Sequence, residues 1–147
     1  MELTGSSLLV VADGRRARLF EERRRGGPLI EITAKLGDLG THFPHATAFR
    51  GRVHDRLGPA SHTPAEITPA ERREADFLEL VAERSARLLR GGGHRDLVLM
   101  AAPRALGLLR QSLGRAGVRV ALAEARDRLV ESPEILRERL RDLRRDA

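Results

Sequence analysis

The sequence predicts an α/β fold of element order βββ-α-β-α-β-α, in which a mixed five-stranded sheet carries helices on both faces. Three observations carry this expectation. Short apolar runs suited to buried strands stand at 7–13 and 96–101, Thr68-Pro69-Ala70-Glu71 is a specific helix start, and beyond residue 95 strand-like segments alternate with helical periods. At 147 residues the chain has the size of one ordinary domain, so 1–147 is expected to form a single unit.

Ser7 to Asp13 reads SLLVVAD, a run suited to a central strand, and Asp13-Gly14 supplies the turn into an alternating stretch from Arg15 to Glu22. Arg25-Gly26-Gly27-Pro28 breaks that pattern before Leu29 to Leu36 alternates again, which predicts an antiparallel meander of three strands. Residues 37–66 hold four of the five histidines and three of the seven prolines without a sustained apolar period, and so predict a long loop of the kind that carries function. Thr68 as N-cap, Pro69 at the first helical position and Glu71 at N3 open a helix that should run to Gly91-Gly92-Gly93 and bury Leu78, Val81, Ala82, Ser85 and Leu89. A strand over 96–101, a helix over 103–116 and a strand over 118–124 follow, and Ser132-Pro133 starts a last helix with Leu136, Leu140 and Leu143 on one face. Three antiparallel strands followed by α/β crossovers is the ribonuclease H-like order.

Charge narrows the partners. The net charge of +6 rests almost wholly on arginine, since Lys35 is the single lysine. Over 14–27 six arginines face only Glu21 and Glu22, and 103–119 adds Arg104, Arg110, Arg115 and Arg119 without an acid. Both segments suit an acidic partner, either structured RNA, ribosomal RNA included, or an acidic protein. The tail 124–147 balances seven arginines with seven acids and reads as a solvated helix. With four phenylalanines and no tryptophan or tyrosine, the chain is poorly equipped to stack on unpaired bases, so phosphates are the expected contact. The lack of cysteine excludes disulfides, thiolate metal sites and a cysteine nucleophile. No apolar run approaches the roughly 18 residues of a membrane span, and a cytoplasmic location is expected.

Three stretches resemble the bacterial family of proteins required for attachment to host cells. They are Val10-Val11-Ala12-Asp13-Gly14 with Ala17-Arg18-Leu19-Phe20, Gly51-Arg52-Val53-His54-Asp55 with Gly58, and Asp96-Leu97-Val98-Leu99 through Ala102-Pro103-Arg104-Ala105-Leu106-Gly107. The chain departs from the family at Ala102, where a second proline is usual, and at Asp127-Arg128-Leu129-Val130, where a Lys-Asp-Leu-Thr-like run is usual. That family is similar in fold to the middle domain of archaeal and eukaryotic class-1 translation termination factors. The resemblance therefore implies an α/β module with a long functional loop near RNA. Residues 37–66 contain no Gly-Gly-Gln, the tripeptide of peptide release, so that chemistry is not implied.

The candidate binding residues are Arg52, His54, Asp55, Arg56 and His62 in the long loop, with Arg104 and Arg110 on the helix that follows Pro103. Arg104 stands beyond the carboxyl end of a strand at a helix N-terminus, where it can hold an anion or pair with a loop acid such as Asp55. His42, His45, His54 and His62 are irregularly spaced and Pro44 breaks any helical pairing, so no metal or cofactor is expected. The leading expectation is a noncatalytic binding module. The alternative is a metal-dependent hydrolase or nuclease using Asp13, His54 and Asp55, with Glu74 or Asp76 on the first helix. Against it, the strand that should supply a further carboxylate ends in Met100-Ala101-Ala102. A third possibility is a homo-oligomer joined through a sheet edge.

Overall fold

The run Ser7–Ala12 (β1) is apolar on both sides of the pleat, and it becomes the middle strand of the sheet, buried along its whole length. In the computed structural model, which describes residues 6–43 and 66–147, β1 pairs antiparallel with Ala17–Glu22 (β2) and parallel with Asp96–Ala101 (β4). Leu29–Glu31 (β3) and Val120–Ala125 (β5) complete five strands in the order β3-β2-β1-β4-β5. The helices are Pro69–Gly91 (α1), Pro103–Arg115 (α2) and Pro133–Arg145 (α3). The mixed α/β sheet and the element order are those the sequence predicts.

Side-chain alternation divides the core into two layers. Leu8, Val10, Leu19, Leu97 and Leu99 pack beneath Leu78, Val81 and Ala82 of α1 and Leu109 and Leu113 of α2. On the opposite face Leu9, Val11, Phe20, Val98 and Met100 meet Leu136 and Leu140 of α3. Leu89, expected in the α1 core stripe, is half-buried, and Ala86 takes a fully buried place. The caps match the sequence signals. Thr68 Oγ1 accepts the Glu71 N–H and Glu71 Oε1 accepts the Thr68 N–H, both at 3.1 Å, while Ser132 Oγ accepts the Ile135 N–H at 3.2 Å.

Two expectations for the meander are corrected. The third strand ends at Glu31, and residues Thr33–Leu39 form 3-10 turns kinked at Gly37, whose φ is 64°. The strand stops because Thr33 Oγ1 takes the Leu19 N–H at 3.0 Å, a donor that a continuing strand would have bonded. Leu36 stays buried all the same, so the apolar position survives the change of conformation. Secondly, Arg18 is not part of a basic surface, being 1% exposed. Its Nε and Nη2 donate to Glu31 at 3.0 Å each, and its Nη1 donates to the carbonyls of Leu129 at 2.6 Å and Glu131 at 2.9 Å. The guanidinium also lies 4.9 Å from the centre of the Phe20 ring and 5.4 Å from that of Phe43. Burial pushes the Glu31 carboxyl up, but the Arg18 fork and the Thr33 hydroxyl outweigh it and hold that carboxyl below its usual range.

Removing this fork leaves two carbonyls without their donor and the Glu31 carboxylate with the Thr33 hydroxyl alone. Arg18→Met is expected to cost about 3 kcal/mol in urea denaturation, and Arg18→Lys, which cannot reproduce the fork, most of that.

His94, just before β4, has a side chain 4% exposed, with Nε2 3.3 Å from Glu21 and Nδ1 buried without a partner among the described residues. Burial holds its pKa below 6.5, against the smaller opposing pull of Glu21. The unfolded chain therefore binds a proton that the folded chain resists. Stability is full above the unfolded value and falls as pH drops through 6.5. Urea midpoints measured between about pH 7.5 and 5.5 should show this slope, and His94→Gln should flatten it.

Candidate functional site

The parallel strands β1 and β4 end side by side, with Ala12 opposite Ala101, and the chain leaves both ends into polar structure. After β1 the Asp13 carboxylate organises the turn. Its Oδ1 accepts the N–H groups of Arg15 and Arg16 at 2.8 Å each, while its Oδ2 accepts Arg16 Nε at 3.2 Å and Nη2 at 2.8 Å. Gly14 then lies so close to α1 that a Cβ there would fall 2.7 Å from the Glu74 carboxyl carbon. After β4, Ala102-Pro103 opens α2 without a side-chain cap, and Arg104 Nε comes to 3.8 Å from Glu74 Oε1.

These elements enclose a cleft of about 470 Å³ between the β1–β2 turn and the first turns of α1, lined by Gly14, Arg15, Ala70, Arg73, Glu74 and Phe77. It continues into a shallower space of about 680 Å³ over Asp13, Arg15, Arg16 and Glu74. Arg15 and Arg73 are exposed and have no acidic partner among the described residues. Arg16 is tied to Asp13, and Arg104 sits loosely on Glu74 at the rim with 52% of its side chain exposed. The first turns of α1 and an excess of guanidinium groups over carboxylates give the cleft a positive field suited to phosphate or carboxylate.

The sequence-predicted residues divide sharply. Arg104 stands at the carboxyl ends of the strands as expected, and its acidic neighbour is Glu74 of α1. Arg110, further along α2, is exposed and does not line the cleft. Arg52, His54, Asp55, Arg56 and His62 lie outside the described residues, as do His45 and most of the 37–66 segment. Three of the six arginines over 14–27 are closely paired: Arg16 with Asp13, Arg18 with Glu31, and Arg23 with Glu21 at 3.2 Å. Arg104, Arg110, Arg115 and Arg119 are all exposed. Sequence reasoning missed Arg15 and Arg73 as a pair across the cleft, although the Asp13-Gly14 turn and the α1 start were the signals that position them. Among the described residues no three histidine, aspartate or glutamate side chains gather closely enough to hold a metal ion. No helix among them is long and apolar enough to cross a membrane.

The family model for proteins required for attachment to host cells matches residues 8–140. The chain belongs to that family. No curated protein matches it. The host-attachment match runs from β1 into α3 and so takes in both faces of the sheet, the cleft and the long segment before α1. It also spans 127–130. There Arg128 forks Glu124 at 2.7 and 3.1 Å and reaches Glu131 at 2.9 Å, which positions the carbonyls that Arg18 holds.

Asp13 acts in this geometry as the cap of its own turn. Asp13→Asn, which retains one acceptor oxygen, should lose about 1 kcal/mol in chemical denaturation, and Asp13→Ala about twice as much.

Proposed function

We propose that this host-attachment protein is a noncatalytic, cytoplasmic binding module whose cleft at the carboxyl ends of β1 and β4 engages the phosphates of structured RNA. One observation carries the reading. Arg15 and Arg73 line the cleft and Arg104 reaches its Glu74 wall, while Asp13 is bonded within its own turn and β4 ends in Ala101 where a metal-dependent nuclease would need a carboxylate. Recognition through phosphates also suits a chain with four phenylalanines and no tryptophan or tyrosine, among which Phe20 is core. The long segment 37–66, with Arg52, His54, Asp55, Arg56 and His62, belongs to the same working face in this proposal, because it returns to the chain just before Thr68 and the first turn of α1.

Fluorescence anisotropy with a structured RNA across a salt series tests this. Wild type should bind with an affinity that falls steeply with salt, and Arg15→Ala/Arg73→Ala should flatten the log–log slope by about one to two units. Arg104→Ala should weaken binding by about threefold to tenfold. Salt-independent association, or capture of an acidic protein without RNA, would overturn the RNA assignment. Turnover of the RNA on adding divalent metal would replace it with the hydrolase alternative.

A further inference from the structure

At the opposite end of the sheet from the cleft, α3 and the β2–β3 hairpin enclose a second, smaller cavity. We propose that it binds a phosphate monoester.

The balanced charge of the tail conceals how the helix sorts it. Leu136, Leu140 and Leu143 turn one stripe of α3 onto the sheet, and Arg137, Arg141 and Arg144 follow at the adjoining i, i+4, i+7 positions beside the hairpin. Arg137 donates to the Gly26 carbonyl through Nε at 3.1 Å and Nη2 at 2.8 Å. Arg144 forks the buried Glu22 carboxylate at 2.7 and 2.8 Å, and the Gly26 N–H donates to the same carboxylate at 2.9 Å. These bonds seat the hairpin on the helix and leave a cavity of about 180 Å³ lined by Glu22, Arg25, Gly26, Arg137, Arg141 and Arg144.

Its electrostatics are one-sided. Glu22 is the one acid in the lining, and its charge is cancelled by Arg144. The guanidinium groups of Arg137 and Arg141 have no acidic partner among the described residues, and that of Arg25 has only the long pair to Asp96 at 3.9 Å. Arg144 also keeps a buried Nε without a partner among them. Like charges around a small cavity repel one another, and an anion seated between them reverses that term. Arginine forks match the tetrahedral oxygens of a phosphate, which offers acceptors in several directions at once. Size limits the ligand to a phosphate with a short stem, since pockets for drug-sized ligands begin at about 300 Å³.

Titration calorimetry on the full chain, at constant ionic strength, with inorganic phosphate and with glycerol phosphate as probes, tests the proposal. Saturable binding of both is expected, weakened about tenfold by Arg141→Gln and by Arg25→Gln and unchanged by Arg119→Ala, an exposed arginine outside both cavities. Both substituted arginines are exposed, so the variants should melt with wild type when no ligand is present. A phosphate headgroup on a lipid would present the same chemistry. Sedimentation with phosphatidylcholine vesicles containing phosphatidic acid separates the sources: capture without soluble binding assigns the headgroup, and soluble binding without capture assigns the free ester. Binding no stronger than that of chloride, with no vesicle capture, overturns the proposal. So does phosphate binding that survives both substitutions, or that is lost in Arg104→Ala, which would move it to the cleft.

Discussion

The buried guanidinium of Arg18 is the constraint on which the rest of this structure depends. Four donated bonds join β2 to Glu31 at the end of β3 and to the carbonyls of Leu129 and Glu131 in the connection between β5 and α3. Segments more than a hundred residues apart in sequence are thereby set against one strand. A cation so placed is tolerable only because every neighbouring acceptor is aimed at it and aromatic rings cover its faces. Satisfying it fixes where α3 begins, since Ser132 caps that helix directly after the Glu131 carbonyl. The Leu136 and Leu140 stripe then meets the sheet at a defined height, and the Phe43 ring is drawn over the guanidinium just before the long segment departs.

The same principle of paired arginine governs the surface. Asp13 is held by Arg16, Glu22 by Arg144, Glu31 by Arg18, and Glu124 and Glu131 by Arg128. Two of these pairs, Glu22–Arg144 and Glu31–Arg18, tie one element to another, and the rest fix local turns. Burial alone would raise the Glu22 carboxyl, yet the Arg144 fork and the Gly26 N–H hold it below its usual range, which shows how completely its charge is answered. What remains to act on the surroundings is the surplus of arginine, and the fold divides it between the two ends of the sheet. Arg15, Arg73 and Arg104 stand at the carboxyl end of the parallel strands. Arg25, Arg137 and Arg141 stand at the other. A net charge spread evenly along the sequence would say nothing of this partition, because pairing decides which cations are left over.

Signals contained within a few residues were legible in the sequence. Thr68-Pro69-Ala70-Glu71 and Ser132-Pro133 announce helices because the cap, the proline and the first-turn donors are neighbours in the chain. Asp96–Ala101 is legible because polar residues and a proline bound one apolar run. The fate of Leu29 to Leu36 was not, since alternation places Leu36 in the core whether the backbone stays extended or tightens after Glu31, and the choice falls to a bond between Thr33 and Leu19 on another strand. Arg18 shares the parity of Phe20, so alternation gives its face. Its burial depends on carbonyl oxygens at 129 and 131, which no local pattern reveals. The cleft is hidden for the same reason: Arg15 and Arg73 converge only because Gly14 permits the first turn to press on Glu74.

That close approach also bears on what the cleft can do. For Asp13 to bind a metal or take a proton from substrate, it would have to release bonds from the N–H groups of Arg15 and Arg16 and from the Arg16 guanidinium, and the turn that forms one wall would lose its cap. Glu74 is similarly confined between Gly14 and Arg104. Arg15 and Arg73 carry no such obligation among the described residues, so an incoming anion meets them without breaking anything that holds the fold together. The acids of this cleft are thus held by the fold, and of the arginines that line it Arg16 is held as well while Arg15 and Arg73 are not.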